Sequence, residues 1–413
     1  MASFDSQLDQ LRVLLAKIAA SDSYYSGAVQ SHLGDGAGLE SVEEFASKFW
    51  FTTKDDLVRD REAHPPFGSN LTEPLANYTR FCQTSGTSTG KPMPVLDTPE
   101  SWEAMLGSWR EVFRGAGLKP GVDRVFFAFS FGPFLGFWTA FEAAATDYLS
   151  LPGGGLSSKA RLEHMARLEA TVLCCTPTYA IRLGELIGTD GFPEPEELDI
   201  HTLIVAGEPG GSLTSVRTRL SELWRGARVY DHHGMTEVGP VTWEHPERAG
   251  VLCLDHGRYL CEIVDAQTGE EVLDGDEGEL VLTTLARTAC PLLRYRSGDR
   301  VRKLVLDDVV HLDGGILGRV DDMVIVRGVN LYPSAVEEVV RSHPEVVEFR
   351  VLERNIESMA ELEIEVETTD PTVLPRLESA LRERFALRIP VTEVAADSLP
   401  RFEFKSQRWS KPE

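Results

Sequence analysis

Thr84-Ser85-Gly86-Thr87-Ser88-Thr89-Gly90-Lys91-Pro92 gathers hydroxyl side chains, two glycines and a lysine into one short stretch. Glycines let a backbone approach an anion closely, successive N–H groups and hydroxyls donate to its oxygens, and a lysine adds a point charge. The chemistry this suits is a grip on a triphosphate. The common phosphate loop has four residues between its first glycine and Gly-Lys, then Ser or Thr to hold Mg²⁺. Here three residues separate Gly86 from Gly90, and Pro92 follows the lysine. The stretch is thus a different nucleotide grip, or else an ordinary Ser/Thr/Gly surface loop.

Other residues could act with it. Asp299 follows Gly298 after an Arg/Tyr-rich strand, where an ionised carboxylate can accept from both hydroxyls of a ribose; the alternative is a plain turn. Gly207 and Glu208 end an apolar strand, the usual place for ligands in α/β sheets. Phe126, Phe127, Phe129, Phe131, Phe134, Phe137 and Trp138 crowd one segment. Aromatic walls suit an aryl or hydrophobic ligand, although most members of such a cluster belong to a core. His232, His233, His245, Cys253, His256 and Cys261 carry metal-ligating groups at irregular spacing.

These residues sit in a chain of 413 residues, 42% hydrophobic and 26% charged, which predicts a globular protein of two or three domains. A net charge of −24 argues against nucleic-acid binding and against anionic membrane surfaces. Leu8, Leu11, Leu14, Leu15 and Ile18 recur at helical spacing, so the N-terminus reads as an amphipathic helix rather than a signal peptide. Residues 125–145 are Phe/Gly-rich but carry Ser130, Pro133 and Glu142, and read as a buried element rather than a membrane span. Six scattered cysteines do not make a disulfide framework and fit a reducing cytoplasm.

Between Leu57 and Leu317, β-rich runs alternate with helical patterns: strands at 170–175 and 202–206, helices near 179–187 and 215–224. This is α/β periodicity. Runs at 279–284 and 301–312 lack intervening helices and predict an antiparallel β subdomain. After Gly318 the texture becomes α+β: a strand at 323–326, a helix opened by Pro333, a strand through Leu362, Ile364 and Val366, and a helix with Leu374, Leu377, Leu381 and Phe385 inward. The division expected is 1–317 and 318–413, with a short hinge and no internal repeat.

Seven further segments, in order, extend the pattern. Phe51-Thr52-Thr53-Lys54-Asp55-Asp56-Leu57 and Pro66-Phe67-Gly68 precede the loop. Ala206-Gly207-Glu208-Pro209, Gly234-Met235-Thr236-Glu237, Arg294-Tyr295-Arg296-Ser297-Gly298-Asp299, residues 318–330 and Leu399-Pro400-Arg401-Phe402-Glu403-Phe404-Lys405 follow it. Taken as an ordered set, they resemble the adenylate-forming acyl ligases, in particular the phenylacetate–CoA ligase branch, over nearly the whole chain. The resemblance implies an α/β fold with a large N-terminal domain of α/β sheets plus β subdomain, and a small mobile α+β C-terminal lobe.

It also implies a reaction. A carboxylic acid, aryl or hydrophobic, attacks the α-phosphate of ATP, and the acyl-adenylate passes its acyl group to a thiol, CoA by preference. By this resemblance Thr84, Ser85, Gly86, Thr87, Ser88, Thr89, Gly90 and Lys91 hold the β- and γ-phosphates. Gly207, Glu208, Pro209, Asp231, His232, His233, Gly234 and Met235 line the nucleotide, with His233 where the family stacks a tyrosine on adenine. Asp299 takes the ribose and Arg319 reaches the nucleotide. Glu237, with Thr236 beside it, coordinates Mg²⁺, and Lys405 stabilises the charge of adenylation. Phe131, Phe134, Phe137, Gly234 and Pro240 line the carboxylate pocket, Asp321 is the hinge, and Gly328 opens the thiol tunnel. Some relatives carry a structural zinc with a further cysteine pair; residues 302–317 contain no cysteine, so zinc is not expected. The family's small, Gly-containing approach to the lysine is replaced here by Phe402-Glu403-Phe404. Transfer to a carrier protein or an amine, and a degenerate nucleotide-binding protein, remain alternatives, and the sequence admits a homodimer.

Overall fold

The computed structural model describes residues 4–84, 92–327, 329–356, 359–402 and 408–410. A five-stranded parallel sheet forms the first layer, in the order Leu149–Pro152, Arg124–Phe127, Val172–Cys175, Thr202–Val205, Arg228–Asp231. Its strands are near-continuous apolar runs because both faces are covered. The alternation of a strand decides which side chain goes where. Val125, Phe127, Val172, Cys174, Ile204 and Tyr230 pack on one side against helices Pro99–Gly115 and Leu135–Ala144. Phe126, Leu173, Cys175, Leu203, Val205 and Val229 pack on the other against helices Ser158–Arg167, Pro177–Leu186 and Thr214–Leu223.

The segment 125–145, expected as one buried element, is a strand and a helix joined by a loop, Arg124–Phe127 and Leu135–Ala144. The helix starts after Pro133, whose missing N–H and rigid φ suit a turn before a helix.

A second, six-stranded antiparallel sheet runs Thr242–Glu244, Val251–Leu254, Val309–Arg319, Tyr295–Leu306, Glu277–Thr284, Tyr259–Val264. The N-terminal helix Phe4–Ala19 buries Leu11, Leu14, Leu15 and Ile18 in a cluster completed by Leu260, Leu285 and Leu293, as its 3.6-residue spacing predicts. Helix Lys54–Ala63 is opened by a reciprocal cap, in which the Thr53 hydroxyl accepts from Asp56 N–H and the Asp56 carboxylate accepts from Thr53 N–H. Among the described residues, no helix is long and apolar enough to cross a membrane.

Strand Val309–Arg319 carries the chain through the position where the sequence texture changes. Beyond it a third sheet follows, Val329–Leu331, Val324–Val326, Met359–Thr368, Val346–Ile356, Trp409–Ser410, with Val391–Glu393 paired to its centre. Helices Pro333–Arg341 and Val373–Phe385 cover it through Val336, Val340, Leu377 and Leu381. Among the described residues this core draws on none before Val324. Leu377→Ala is accordingly expected to cost about 2–5 kcal/mol, with faster amide exchange confined to residues 324–402. Equal loss of protection in the parallel sheet would show that the two cores unfold as one.

Candidate active site

The hairpin of Tyr295–Leu306 and Val309–Arg319 sets Asp299 opposite Arg319. Gly298 has a φ of 75°, and a Cβ there would run into the Arg319 guanidinium, so the turn requires glycine. Arg319 Nη1 donates to Asp299 Oδ1 at 3.1 Å and to the Ser297 carbonyl at 2.7 Å, while Nε donates to Asp321 Oδ1 at 3.1 Å. Burial opposes a charge on Asp299, but His233 and Arg319 outweigh it and hold its carboxyl below the usual range. It is an anion at neutral pH. Its second oxygen, Oδ2, lies 3.1 Å from His233 Nε2. Both atoms are buried, and neither has a well-aligned hydrogen-bond partner among the described residues.

Glu237 occupies the turn of a two-stranded hairpin in which Gly234 pairs with Pro240 and Met235 with Gly239. The turn is fixed from beneath by Arg287, whose Nη1 donates to the carbonyls of Thr236 and Glu237 at 2.9 and 2.8 Å. Nε and Nη2 of Arg287 fork onto Asp97 at 2.7 and 2.6 Å, inside the protein. Burial disfavours the guanidinium charge, but the Asp97 carboxylate outweighs it and keeps Arg287 protonated. The Glu237 side chain is nearly enclosed, and its Oε1 lies 3.2 Å from Lys54 Nζ. Lys54 opens its helix at this spot because Thr52 is bonded on both sides to the Arg294-Tyr295-Arg296 segment, through Thr52 N–H to Arg294 O and Arg296 N–H to Thr52 O.

At the carboxyl end of the parallel sheet, Asp231 closes its strand and accepts from Ser212 Oγ and from His232 N–H. Burial pushes its carboxyl up to about 6. His232 turns inward: Nδ1 donates to the Thr242 carbonyl at 2.6 Å, the ring lies 4.3 Å from Trp109, and burial lowers its pKa to about 3, leaving it neutral. Its imidazole faces the core, so only its backbone adjoins the site. Gly207 has a φ of 94°. Glu208 Oε1 accepts from Thr178 N–H at 2.8 Å, which ties the Gly207-Glu208-Pro209 turn to the start of a neighbouring helix.

Thr84 anchors one end of the hydroxyl-rich loop: its N–H donates to Met93 O and its hydroxyl accepts from Met93 N–H. Residues 85–91, Lys405 and Gly328 lie outside the described residues. Phe131, Phe134 and Phe137 are partly buried and share one aromatic cluster, with Phe129 stacked on Phe137 at 4.1 Å and Phe131 edge-on to Phe141 and Trp138. The helix carrying Phe137 touches both strands of the Gly234/Pro240 hairpin. Phe126, Phe127 and Phe129 belong to the cores instead. Among the described residues no three His, Cys, Asp or Glu side chains converge on a metal position; His245 and His311 face each other at 5.8 Å.

The family described as AMP-binding enzyme matches residues 52–286, and its C-terminal domain matches 328–410. The chain belongs to the AMP-binding enzyme family. Its fold is that of the adenylate-forming ligases. The phenylacetate–coenzyme A ligase of Thermus thermophilus is 32% identical over 88% of this chain and 81% of its own. That of Escherichia coli is 28% identical over 98% and 95%. Among solved structures, 2-hydroxyisobutyryl-CoA ligase in its postadenylation state with 2-HIB-AMP superposes with a TM-score of 0.92, at 25% identity over 99% of this chain and 89% of that one. The same ligase in its thioesterification state with 2-HIB-AMP and CoA gives 0.72, at 26% identity over the same shares.

Within this AMP-binding enzyme, sequence reasoning missed Arg287, Asp97 and Lys54 as parts of the site. Lys54 stood in a quoted motif without a role, whereas Arg287 and Asp97 carry no local pattern. Replacing Arg287 by Leu leaves Asp97 as an unpaired buried carboxylate and is expected to cost about 3–5 kcal/mol. Adding Asp97→Leu should restore part of it, and denaturant unfolding of the two single variants and the double reads the coupling. A coupling near zero would remove the pair from its place beneath Glu237.

Proposed function

We propose that this chain activates a carboxylic acid, aryl or hydrophobic, with ATP and Mg²⁺ to an acyl-adenylate, and then transfers the acyl group to the thiol of CoA. The observation that carries the reading is an ionised, buried Asp299 and an enclosed Glu237 that both bear on the Tyr295 hydroxyl, with Arg287 tying the Glu237 turn to the strand paired beside Thr84. The ligand implied has a diol for Asp299, a metal-bound phosphate chain near Glu237, and phosphate oxygens for the loop. That is a nucleoside triphosphate. The named relatives act on carboxylic acids with CoA, which supports the same conclusion.

Glu237 suits Mg²⁺ because a hard cation prefers carboxylate oxygen and completes its shell with phosphate and water. Its enclosed carboxylate already attracts one cation, Lys54. When bound, the metal supplies positive charge between phosphate oxygens. The chain's own groups do the rest: Arg319 keeps Asp299 ionised and oriented, Arg287 fixes the turn of Thr236 and Glu237, and the aromatic cluster beside Gly234 and Pro240 offers an apolar wall to the acid. Lys405, outside the described residues, is assigned to the charge that develops between carboxylate and α-phosphate. The hinge is assigned to Asp321, whose exposed carboxylate holds Arg319, and Gly328 to the path of the thiol arm. Residues 1–317 and 318–413 are taken as the two moving parts. The two solved states of the hydroxyisobutyryl ligase, matched with TM-scores of 0.92 and 0.72, support such a rearrangement between half-reactions.

Acid-dependent exchange of pyrophosphate into ATP, measured across aryl and aliphatic carboxylates and followed by product analysis with and without CoA, tests both halves. Exchange with some acid, and thioester only when CoA is present, is expected. Tight ATP binding with no exchange for any acid would leave a nucleotide-binding protein without the reaction. Lys405→Ala should lower adenylation by at least about 100-fold, the scale of one electrostatic transition-state contact, while largely sparing thioester formation from a supplied adenylate. Unchanged adenylation would remove Lys405 from its role.

A further inference from the structure

His233 stands where the family resemblance leads one to expect a ring stacked on adenine, but its polar edge has a different neighbour. Its Nε2 lies 3.1 Å from Oδ2 of Asp299. The side chain of Asp299 is only 6% exposed and that of His233 15%. Each of these two atoms is buried without a well-aligned partner among the described residues. The two atoms meet at hydrogen-bond distance but out of alignment, so each keeps hydrogen-bonding capacity that a ligand would complete. The carboxylate is anchored on its other oxygen, and both backbones are fixed. Asp299 is held through Oδ1 by Arg319 and through its N–H by the Ser297 hydroxyl. His233 is clamped by its backbone, with N–H donating to Thr242 Oγ1 at 2.9 Å and its carbonyl accepting from Val241 N–H at 2.9 Å.

We infer that His233 and Asp299 together read the vicinal hydroxyls of the nucleotide's ribose, Asp299 Oδ2 taking one and His233 Nε2 the other. The inference rests on the adenylation reading and assigns His233 a part in selecting the nucleotide. Vicinal hydroxyl oxygens sit about a hydrogen-bond length apart, the separation of the two orphaned atoms. An anionic carboxylate accepts only, whereas an imidazole nitrogen accepts or donates with its tautomer, and a hydroxyl satisfies either. One hydroxyl therefore meets a carboxylate oxygen and the other a ring nitrogen. Removing them one at a time from the ligand separates the two partners.

The test compares ATP, 2′-deoxy-ATP and 3′-deoxy-ATP, by calorimetric dissociation constants and by KM in pyrophosphate exchange, for the intact wild-type chain, His233→Phe and His233→Gln. Phenylalanine keeps a flat ring and deletes the nitrogen; glutamine keeps a polar end and deletes the ring. In the wild type both deoxy analogues should bind more weakly than ATP. With His233→Phe the penalty for losing one hydroxyl should shrink by about 3- to 10-fold, the weight of one hydrogen bond. The penalty for losing the other should stay. His233→Gln should retain at least part of the lost discrimination. Weakening of all three nucleotides by one common factor in both variants would overturn the inference, since a stacking or merely structural role predicts that. If the wild type binds ATP without distinguishing either deoxy analogue, the inference also falls while the adenylation reading stands. A wild type that binds no nucleotide overturns both.

Discussion

The forked contact between Arg287 and Asp97 is the interaction on which the rest of the site depends. Both side chains are 1% exposed, and four hydrogen bonds leave the guanidinium, two to Asp97 and two to the carbonyls of Thr236 and Glu237. Taking two charges out of water costs several kcal/mol per ion even after relaxation, so such a pair is weak evidence of stability for its own sake. Its value is positional. Asp97 ends strand Pro94–Asp97, which is paired with Arg80–Gln83 and so borders the hydroxyl-rich loop; Arg287 leaves the antiparallel sheet just past Thr284. Thr236 and Glu237 belong to neither. One planar cation with donors in fixed directions therefore sets three separate chain segments at defined distances, and a lysine, with a single rotatable ammonium, cannot reproduce the fork.

That dependence also explains what was legible in the sequence. The parallel strands could be read because burial on both faces makes them unbroken apolar runs, and the N-terminal helix because Leu11, Leu14, Leu15 and Ile18 repeat at its period. Gly298-Asp299 could be read as a site because its turn has one chemical solution: the left-handed φ and the Arg319 guanidinium both demand glycine. The partners of these groups were not legible. Asp97 and Arg287 lie 190 positions apart, and an arginine between Ala286 and Thr288 looks like any solvated residue until the sheet is folded. His232 and His233 are adjacent and chemically identical, yet one faces Trp109 and the other Asp299, because successive side chains of an extended segment point to opposite sides. The aromatic run divides in a similar way, Phe127 and Phe129 inward and Phe131 and Phe134 nearer the surface, and composition alone cannot assign those sides.

The contacts across the two parts of the chain are of another kind. Ser334 Oγ donates to the Leu317 carbonyl, the Arg300 guanidinium lies 3.7 Å over the Tyr332 ring, and Arg408 Nη1 approaches Thr178 Oγ1 at 3.5 Å. Behind Arg408 stands a charge network in which Glu348 and Glu337 each face both Arg408 and Arg341. Burial, together with the like charge of Arg408, lowers the pKa of Arg341. The Ser334, Tyr332 and Thr178 contacts can be exchanged for water at little net cost, since a hydrogen bond contributes only about 1 kcal/mol. The apolar cores cannot be exchanged in that way, because every buried methylene is worth nearly as much and dozens are buried together. Among the described residues the buried apolar clusters lie within one part or the other, which is what the rearrangement proposed above would require. Arg319 stands at the point where this matters: one face of its guanidinium holds Asp299, and its Nε holds Asp321 on the exposed segment that follows. The proposed rearrangement would have to break or reorient the second bond while the first stays within the hairpin.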